Sequence, residues 1–128
     1  MLIEIVERHG DEPIEAVVHR LIHAMSGMIF SQPEFLRRLL VHASRLDRVG
    51  HILTHRMRLT RVFATLIARR PELTHIPDPD RSAYLLIHAV MGVFQAMLFE
   101  HTPIQNVERM LQDLERMVLC VLLDEAHR

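Results

Sequence analysis

The stretch Ala83–Phe99, AYLLIHAVMGVFQAMLF, decides the fold because it is apolar on almost every side, with little interruption except at His88 and Gln95. A helix with that pattern must be covered over most of its surface. Its small residues lie three or four positions apart and allow a second helix to approach closely; they are Ala89, Gly92 and Ala96. The stretch therefore predicts a largely covered helix in an all-α protein.

The stretch Val107–Leu123, within the last predicted helix, is also unusually apolar. Its seam consists of Val107, Leu111, Leu114, Val118 and Val121. Because the two helices carry more apolar surface than one small domain easily covers, we expect both to pair with their copies in a four-helix bundle. The sequence thus predicts a homodimer whose interface contains this seam and the three small residues of Ala83–Phe99. The alternative is a core helix inside a monomer.

Helix-ending and helix-capping residues divide the rest of the chain without a linker or repeat. Met1–His9 stops at Gly10, and Asp11 is predicted to cap a helix whose apolar face fades near Ser26-Gly27. Ser31-Gln32-Pro33-Glu34 has the pattern of a capping box that opens a short helix.

A longer helix is predicted from about Leu46 to Arg69 and is ended by Pro71. Asp78 and Asp80 are candidate caps for the apolar helix, and Thr102-Pro103 starts the last one. No alternating β-branched run indicates a strand. The prediction is a five- to six-helix bundle forming one domain over residues 1–128.

Composition narrows the function classes. The chain has 128 residues and a formal net charge of −1, which does not favour nucleic acid or an anionic membrane as a partner. All 15 basic residues are Arg, which excludes lysine chemistry. A lone Cys120 in an apolar run predicts a buried, inert thiol and a reducing, cytoplasmic setting. The acidic start gives no secretory signal, and no run of about 18 apolar residues offers a membrane span.

Three segments carry a family resemblance. Glu7–Val17 (ERHGDEPIEAV), Arg69–Leu73 (RRPEL) and Asp80–Val93 (DRSAYLLIHAVMGV) resemble the C-terminal effector domain of tetracycline-repressor-type transcription regulators. The resemblance covers essentially the whole chain. It implies a small-molecule sensor that needs no cofactor and that shifts its helices to change the spacing of two attached DNA readers. No helix-turn-helix pattern occurs in the sequence, so we expect no direct contact between this chain and DNA.

The resemblance also implies a ligand cavity ahead of and including the first dimerisation helix. Methionine and phenylalanine would form an adaptable apolar wall, and Tyr84 and His88 would orient a hydrophobic or aromatic ligand. The predicted lining is Met25, Met28, Phe30, Met57, Phe63, Tyr84, His88, Met91 and Phe94. Alternatively, the Met and Phe residues simply belong to the core.

The ten histidines raise a second possibility. His19 and His23, and likewise His51 and His55, lie four positions apart on predicted helices, so each pair places two imidazoles on one face. No Cys or carboxylate stands at ligand spacing beside either pair. A metal-binding helical bundle is therefore the first alternative function, and a purely structural dimerisation module is the second.

Enzymatic activity is not expected, because the sequence contains no nucleophile elbow, paired carboxylates or phosphate-binding loop. Residues 37–70 contain nine Arg and only one acid, Asp47. We interpret this cluster as a solvated basic face. If the ligand is acidic, Arg56 and Arg61 are the first residues to test.

Overall fold

The structure is a computed structural model that describes residues 2–42, 48–100 and 106–123, without the side chains of 39, 40, 42 and 48–54. Six α-helices and one short 3₁₀ turn make up the described part, which contains no strand. The helices are α1 (Leu2–His9), α2 (Ile14–Ser31), α3 (Pro33–His42), α4 (Arg48–Arg69), α5 (Pro79–Phe99) and α6 (Val107–Leu123). The prediction of an all-α helical bundle is confirmed.

Some of the predicted helix ends are confirmed. Helix α3 begins at Pro33, and α4 ends at Arg69, with a 3₁₀ turn at Pro71–Leu73. The carboxylate of Asp78 accepts a hydrogen bond from the backbone N–H of Arg81 at 3.1 Å, so Asp78 caps α5. Proline fits the first turn of a helix because that position lacks an intrahelical partner for its N–H.

Other predicted ends were wrong. Pro13, and not Asp11, precedes α2, and no side chain caps that helix. Helix α2 does not fade near Gly27 but continues to Ser31, whose hydroxyl donates to the carbonyl of Met28 at 3.2 Å. Ser31 is therefore the last residue of one helix and not the cap of the next.

The predicted start of the last helix at Thr102-Pro103 lies outside the described residues. Helix α6 begins at Val107. It is capped by Asn106, whose side-chain oxygen accepts a hydrogen bond from the N–H of Arg109 at 3.1 Å. Asn106 has a φ of 113°, a backbone region in which Asn is found more often than most residues.

The core lies between α2, α4, α5 and α6, with α1 packed across α2 and α4. Helix α5 packs mainly on α4, and α6 packs mainly on α2. The largest fully buried side chains are Phe94, Ile14, Leu59, Ile67, Leu73, Leu122 and Val17. Burying side chains of this size contributes about 1.5–3 kcal/mol each, so this apolar centre is the main source of stability.

Two distant side chains bind carbonyls at the ends of the C-terminal helices. The guanidinium of Arg37 on α3 donates to the carbonyl of Leu98 at 2.5 Å. The ring of His75, which follows the 3₁₀ turn, donates to the carbonyl of Leu122 at 2.6 Å. The last carbonyls of a helix lack intrahelical donors, so these contacts satisfy acceptors that otherwise need water.

Helix α5 is long and apolar enough, by length and composition alone, to cross a membrane, with a mean hydropathy of 1.7. The core helix of a soluble protein meets the same criterion. Seven of its side chains are buried against the rest of the bundle: Ala83, Leu86, Ile87, Val90, Phe94, Met97 and Leu98. The core of the chain thus covers one side of the helix that the sequence predicted to be largely covered.

Candidate functional site

An apolar void lies at the centre of the bundle, where α2, α4, α5 and α6 meet. Its volume is about 30 Å³, and its wall carries no polar surface. The lining residues are Val18, Leu21, Ile22, Met25, Phe63, Leu86, Ile87, Val90 and Val118. All four helices therefore contribute apolar side chains to its wall.

The structure brings together only part of the predicted ligand-binding set. Met25 and Phe63 both line the void, and Phe94 is buried in the core beyond it at 1% exposure. The remaining residues of the set are not in the wall. Met28, Phe30, Met57 and Tyr84 are exposed, and His88 and Met91 are half-buried.

Tyr84 and His88 do not supply the polar groups of an internal site. Their rings stack on each other with centroids 4.1 Å apart, and the His88 Nδ1–H donates to the Tyr84 carbonyl at 2.9 Å. Both residues therefore interact with each other along α5. The void has instead a wall of branched aliphatic residues, which sequence reasoning missed because it favoured Met and Phe over the Val, Leu and Ile on the same helical stripes.

The residues predicted for the dimer interface divide into two groups. Ala89, Gly92 and Ala96 lie on the exposed side of α5. A Cβ at Gly92 would meet nothing within 4 Å, so this side is open in the protomer.

The predicted seam of α6 lies mostly inside the core of the same chain. Leu111, Leu114 and Val118 are only 3–4% exposed inside the core of the same chain. Val107 is half-buried, and Val121 is 40% exposed on the outer side. The most regular apolar spacing of an amphipathic helix marks its inner face, which is why the seam packs on α2.

The outer surfaces of the last two helices carry their own apolar residues. On α5, they recur at alternating spacings of four and three positions: Leu85, Ala89, Gly92, Ala96 and Phe99. On α6 they are Met110, Met117 and Val121, with exposures of 37%, 43% and 40%. We call these two rows together the outer apolar face. Cys120 is exposed on α6, so the prediction of a buried thiol was wrong.

One predicted histidine pair acquires a third polar neighbour. His19 and His23 lie one turn apart on α2, and Glu115 of α6 reaches both of them. The Glu115 Oε1 atom is 2.7 Å from Nδ1 of His19 and 3.2 Å from Nε2 of His23. The sequence showed the pair but not the carboxylate, because Glu115 is more than 90 positions away along the chain.

The second predicted pair gains no such partner in the part of the chain that is described. His55 is exposed on α4, and the side chain of His51 lies outside the described residues. Of the two arginines singled out for an acidic ligand, Arg61 is exposed and Arg56 is half-buried. Neither lines the void.

A polar junction joins the α1–α2 turn to the end of α4. Arg70, with a side chain only 11% exposed, donates to the carbonyl of Gly10 at 2.6 Å and to the carbonyl of Glu12. It also pairs with Glu72 at 2.7 Å. An open groove of about 550 Å³ runs beside this junction between α1 and α4. Sequence reasoning missed the role of Arg70 because it counted this residue with the solvated basic face.

Two carboxylates at this junction have altered acidity. The Arg20 side chain donates to Glu12 through two bonds of 2.9 and 3.0 Å, and this hydrogen bonding lowers the pKa of Glu12 below its ordinary value of 4.5. The Glu72 pKa is lowered by a hydrogen bond from its own backbone N–H and then by Arg70. Hydrogen bonds to the charged form of a carboxyl group favour that form.

Comparison with known families places the chain among regulator domains. Residues 13–122 match the model of the tetracyclin repressor-like, C-terminal domain family. No curated protein and no solved structure matches the chain. The match spans all of the void and the outer apolar face, and it begins within the turn that follows α1.

Proposed function

Because the chain belongs to the tetracyclin repressor-like C-terminal domain family, we propose that it is a small-molecule-sensing, dimerising effector domain of a transcription regulator. The observation that carries the proposal is the apolar void lined by α2, α4, α5 and α6. In this proposal the domain works in the cytoplasm, without enzymatic activity. It acts on DNA only through a separate reader.

The size of the void indicates how a ligand would bind. Pockets that hold small molecules have volumes of about 300–1,000 Å³. The void, at about 30 Å³, is at least about ten times smaller. The structure therefore supports a closed arrangement of the four helices, which must separate to admit a ligand. A ligand that binds only the expanded arrangement shifts the population toward it.

The chemistry of the wall defines the class of ligand. All nine lining residues are apolar, and the flexible Met25 adapts to different shapes. A charged or strongly hydrogen-bonding molecule would lose its hydration without gaining partners there. We infer that the ligand is hydrophobic or aromatic, and that Arg56 and Arg61 do not recognise it.

Dimerisation is proposed through the outer apolar face. The row on α5 has the alternating four and three spacing by which helices pair side by side, and its small central residues allow close contact. The row on α6 offers further exposed apolar side chains. The proposed interface therefore keeps Ala89, Gly92, Ala96 and Val121. It replaces the buried seam of α6 with Met110 and Met117.

Ligand binding is tested by thermal shift with a panel of apolar and aromatic compounds. We expect at least one compound to raise the midpoint, because a ligand bound only to the folded state stabilises it. The variant Val90→Leu adds one methylene to the wall of the void and should reduce that increase.

The matched control for the ligand test is Val93→Leu. Val93 lies on the same helix, half-buried, but does not line the void. Equal midpoint increases in both variants would place the ligand elsewhere. A panel without any stabilising compound would favour the purely structural module.

Dimerisation is tested by analytical ultracentrifugation at several concentrations. Gly92→Glu places a carboxylate on the outer apolar face and should convert a dimer into a monomer. Gly27→Glu is the matched control, since Gly27 is also a helical glycine with nothing within 4 Å of a Cβ. A wild-type chain that stays monomeric, or a dimer that survives Gly92→Glu, would contradict the proposed interface.

A further inference from the structure

His19, His23 and Glu115 form a cluster that the proposed sensing function does not use. Their candidate ligand atoms all lie within 4.8 Å of one another. Both imidazoles converge on one atom, Oε1 of Glu115, and the two rings lie with centroids 4.1 Å apart. No other group of three such side chains occurs in the described part of the chain.

The donor set is that of a transition-metal site. Two imidazole nitrogens and one carboxylate oxygen are a recurrent ligand set for Zn²⁺ with an open position, and imidazole also suits Ni²⁺ and Cu²⁺. We propose that His19, His23 and Glu115 bind one divalent transition-metal ion, with Zn²⁺ as the representative, and that the ion bridges α2 and α6.

Two of the three separations between candidate ligand atoms are close to those around a bound ion. Bonds of about 2.0–2.1 Å in a tetrahedral arrangement place neighbouring ligand atoms about 3.3 Å apart. The contact between His23 and Glu115 is already 3.2 Å, and that between His19 and Glu115 is 2.7 Å. The His23–Glu115 pair needs almost no change, and the His19–Glu115 pair must lengthen by about 0.6 Å. Rotation of His19, the most exposed of the three side chains, supplies this movement.

The surroundings favour an exchangeable ion. The side chain of Glu115 is 18% exposed, that of His23 32% and that of His19 58%, so the cluster opens towards solvent on the His19 side. Water can complete the coordination there. The nearest basic residue on α2, Arg20, is held by Glu12 through two hydrogen bonds, which offsets its positive charge.

An ion bound at this cluster would affect the void, because α2 and α6 both contribute to its wall. Helix α2 supplies four residues of the void wall, and α6 supplies Val118. An ion bound to α2 and α6 together holds these helices at one separation. Zn²⁺ should therefore stabilise the closed arrangement as well as the fold.

The experiment is a titration of the full chain, freed of metal with chelator, with Zn²⁺ at about pH 7.5, where an ordinary imidazole is mostly neutral. Calorimetry should show one Zn²⁺ per chain, and the thermal midpoint should rise on binding. Mg²⁺, which prefers oxygen ligands, should cause no comparable rise.

Glu115→Gln, His19→Ala and His23→Ala should each weaken Zn²⁺ binding by about 100-fold or more, since each removes one of three protein ligands. Glu108→Gln on α6 and His55→Gln on α4 are the matched controls and should bind as the wild type does. Circular dichroism and the unfolding midpoint in chelator show whether each variant is folded.

Two results would overturn the site. One is a folded Glu115→Gln variant that binds Zn²⁺ as tightly as the wild type does. The other is loss of the same Zn²⁺ signal in His55→Gln, which would assign binding to other histidines. Absence of any Zn²⁺ binding by the wild type at about millimolar concentration would equally refute it, and none of these results bears on the ligand or dimer tests.

Discussion

The core around α5 and the junction around Arg70 hold the molecule together by different means. Around α5, the contacts are apolar, and they border the small apolar void. At the junction, one largely buried guanidinium binds two backbone carbonyls and a carboxylate. The core is non-directional and can rearrange, whereas the junction depends on the positions of particular atoms.

This difference indicates where the domain can move. Apolar side chains can slide and still remain buried, so in the proposed sensing function it is α2, α4, α5 and α6 that separate around a ligand. Hydrogen bonds weaken steeply when their geometry changes. We therefore expect the α1–α2 turn and the end of α4 to move together, as one body, when the four helices separate.

The largest effect should come from emptying the core. Phe94→Ala removes a ring that is 1% exposed and should lower the free energy of unfolding by about 3–5 kcal/mol. Urea denaturation measures the change. Phe35→Ala is the matched control, because Phe35 is 60% exposed on α3, and equal losses in the two variants would contradict the assignment of the core.

A smaller effect should follow from breaking the junction. Arg70→Ala leaves the carbonyls of Gly10 and Glu12 without their donor and should lower the free energy of unfolding by about 2–3 kcal/mol. Hydrogen exchange should show the loss of protection first in α1. The exposed neighbour provides the control: Arg69→Ala should change stability by less than about 0.5 kcal/mol.

The smallest effect should depend on pH. The pKa of Glu12 is lowered in the folded state, so its contribution is fully present above the ordinary value of 4.5 and is lost as the pH falls through the folded pKa. The stability difference between wild type and Glu12→Gln should shrink as the pH is lowered from about 5 to about 3. Glu15→Gln, on the same helix, is the control for general charge effects. A difference that grows in acid would contradict the role of the Arg20–Glu12 pair.

Some features of the site were readable from the sequence. Periodicity predicted the apolar stripes of α2 and α4, and these stripes contribute Met25 and Phe63 to the void. The aliphatic wall was not predicted, because every apolar residue on α5 fits a core equally well. A helix that is apolar all round carries no signal that separates its inner face from its outer face.

The sequence by itself determined the all-α class and the helix ends at Pro33, Arg69 and Asp78, because these depend on local periodicity and capping. It also identified the family, through the resemblance of three segments. The tertiary structure decided which side of α5 is covered and that the seam of α6 is buried. It also brought Glu115 to the His19–His23 pair and Arg70 to the α1–α2 turn. Contacts between residues about 60 to 100 positions apart leave no local pattern, since they exist only when the helices pack.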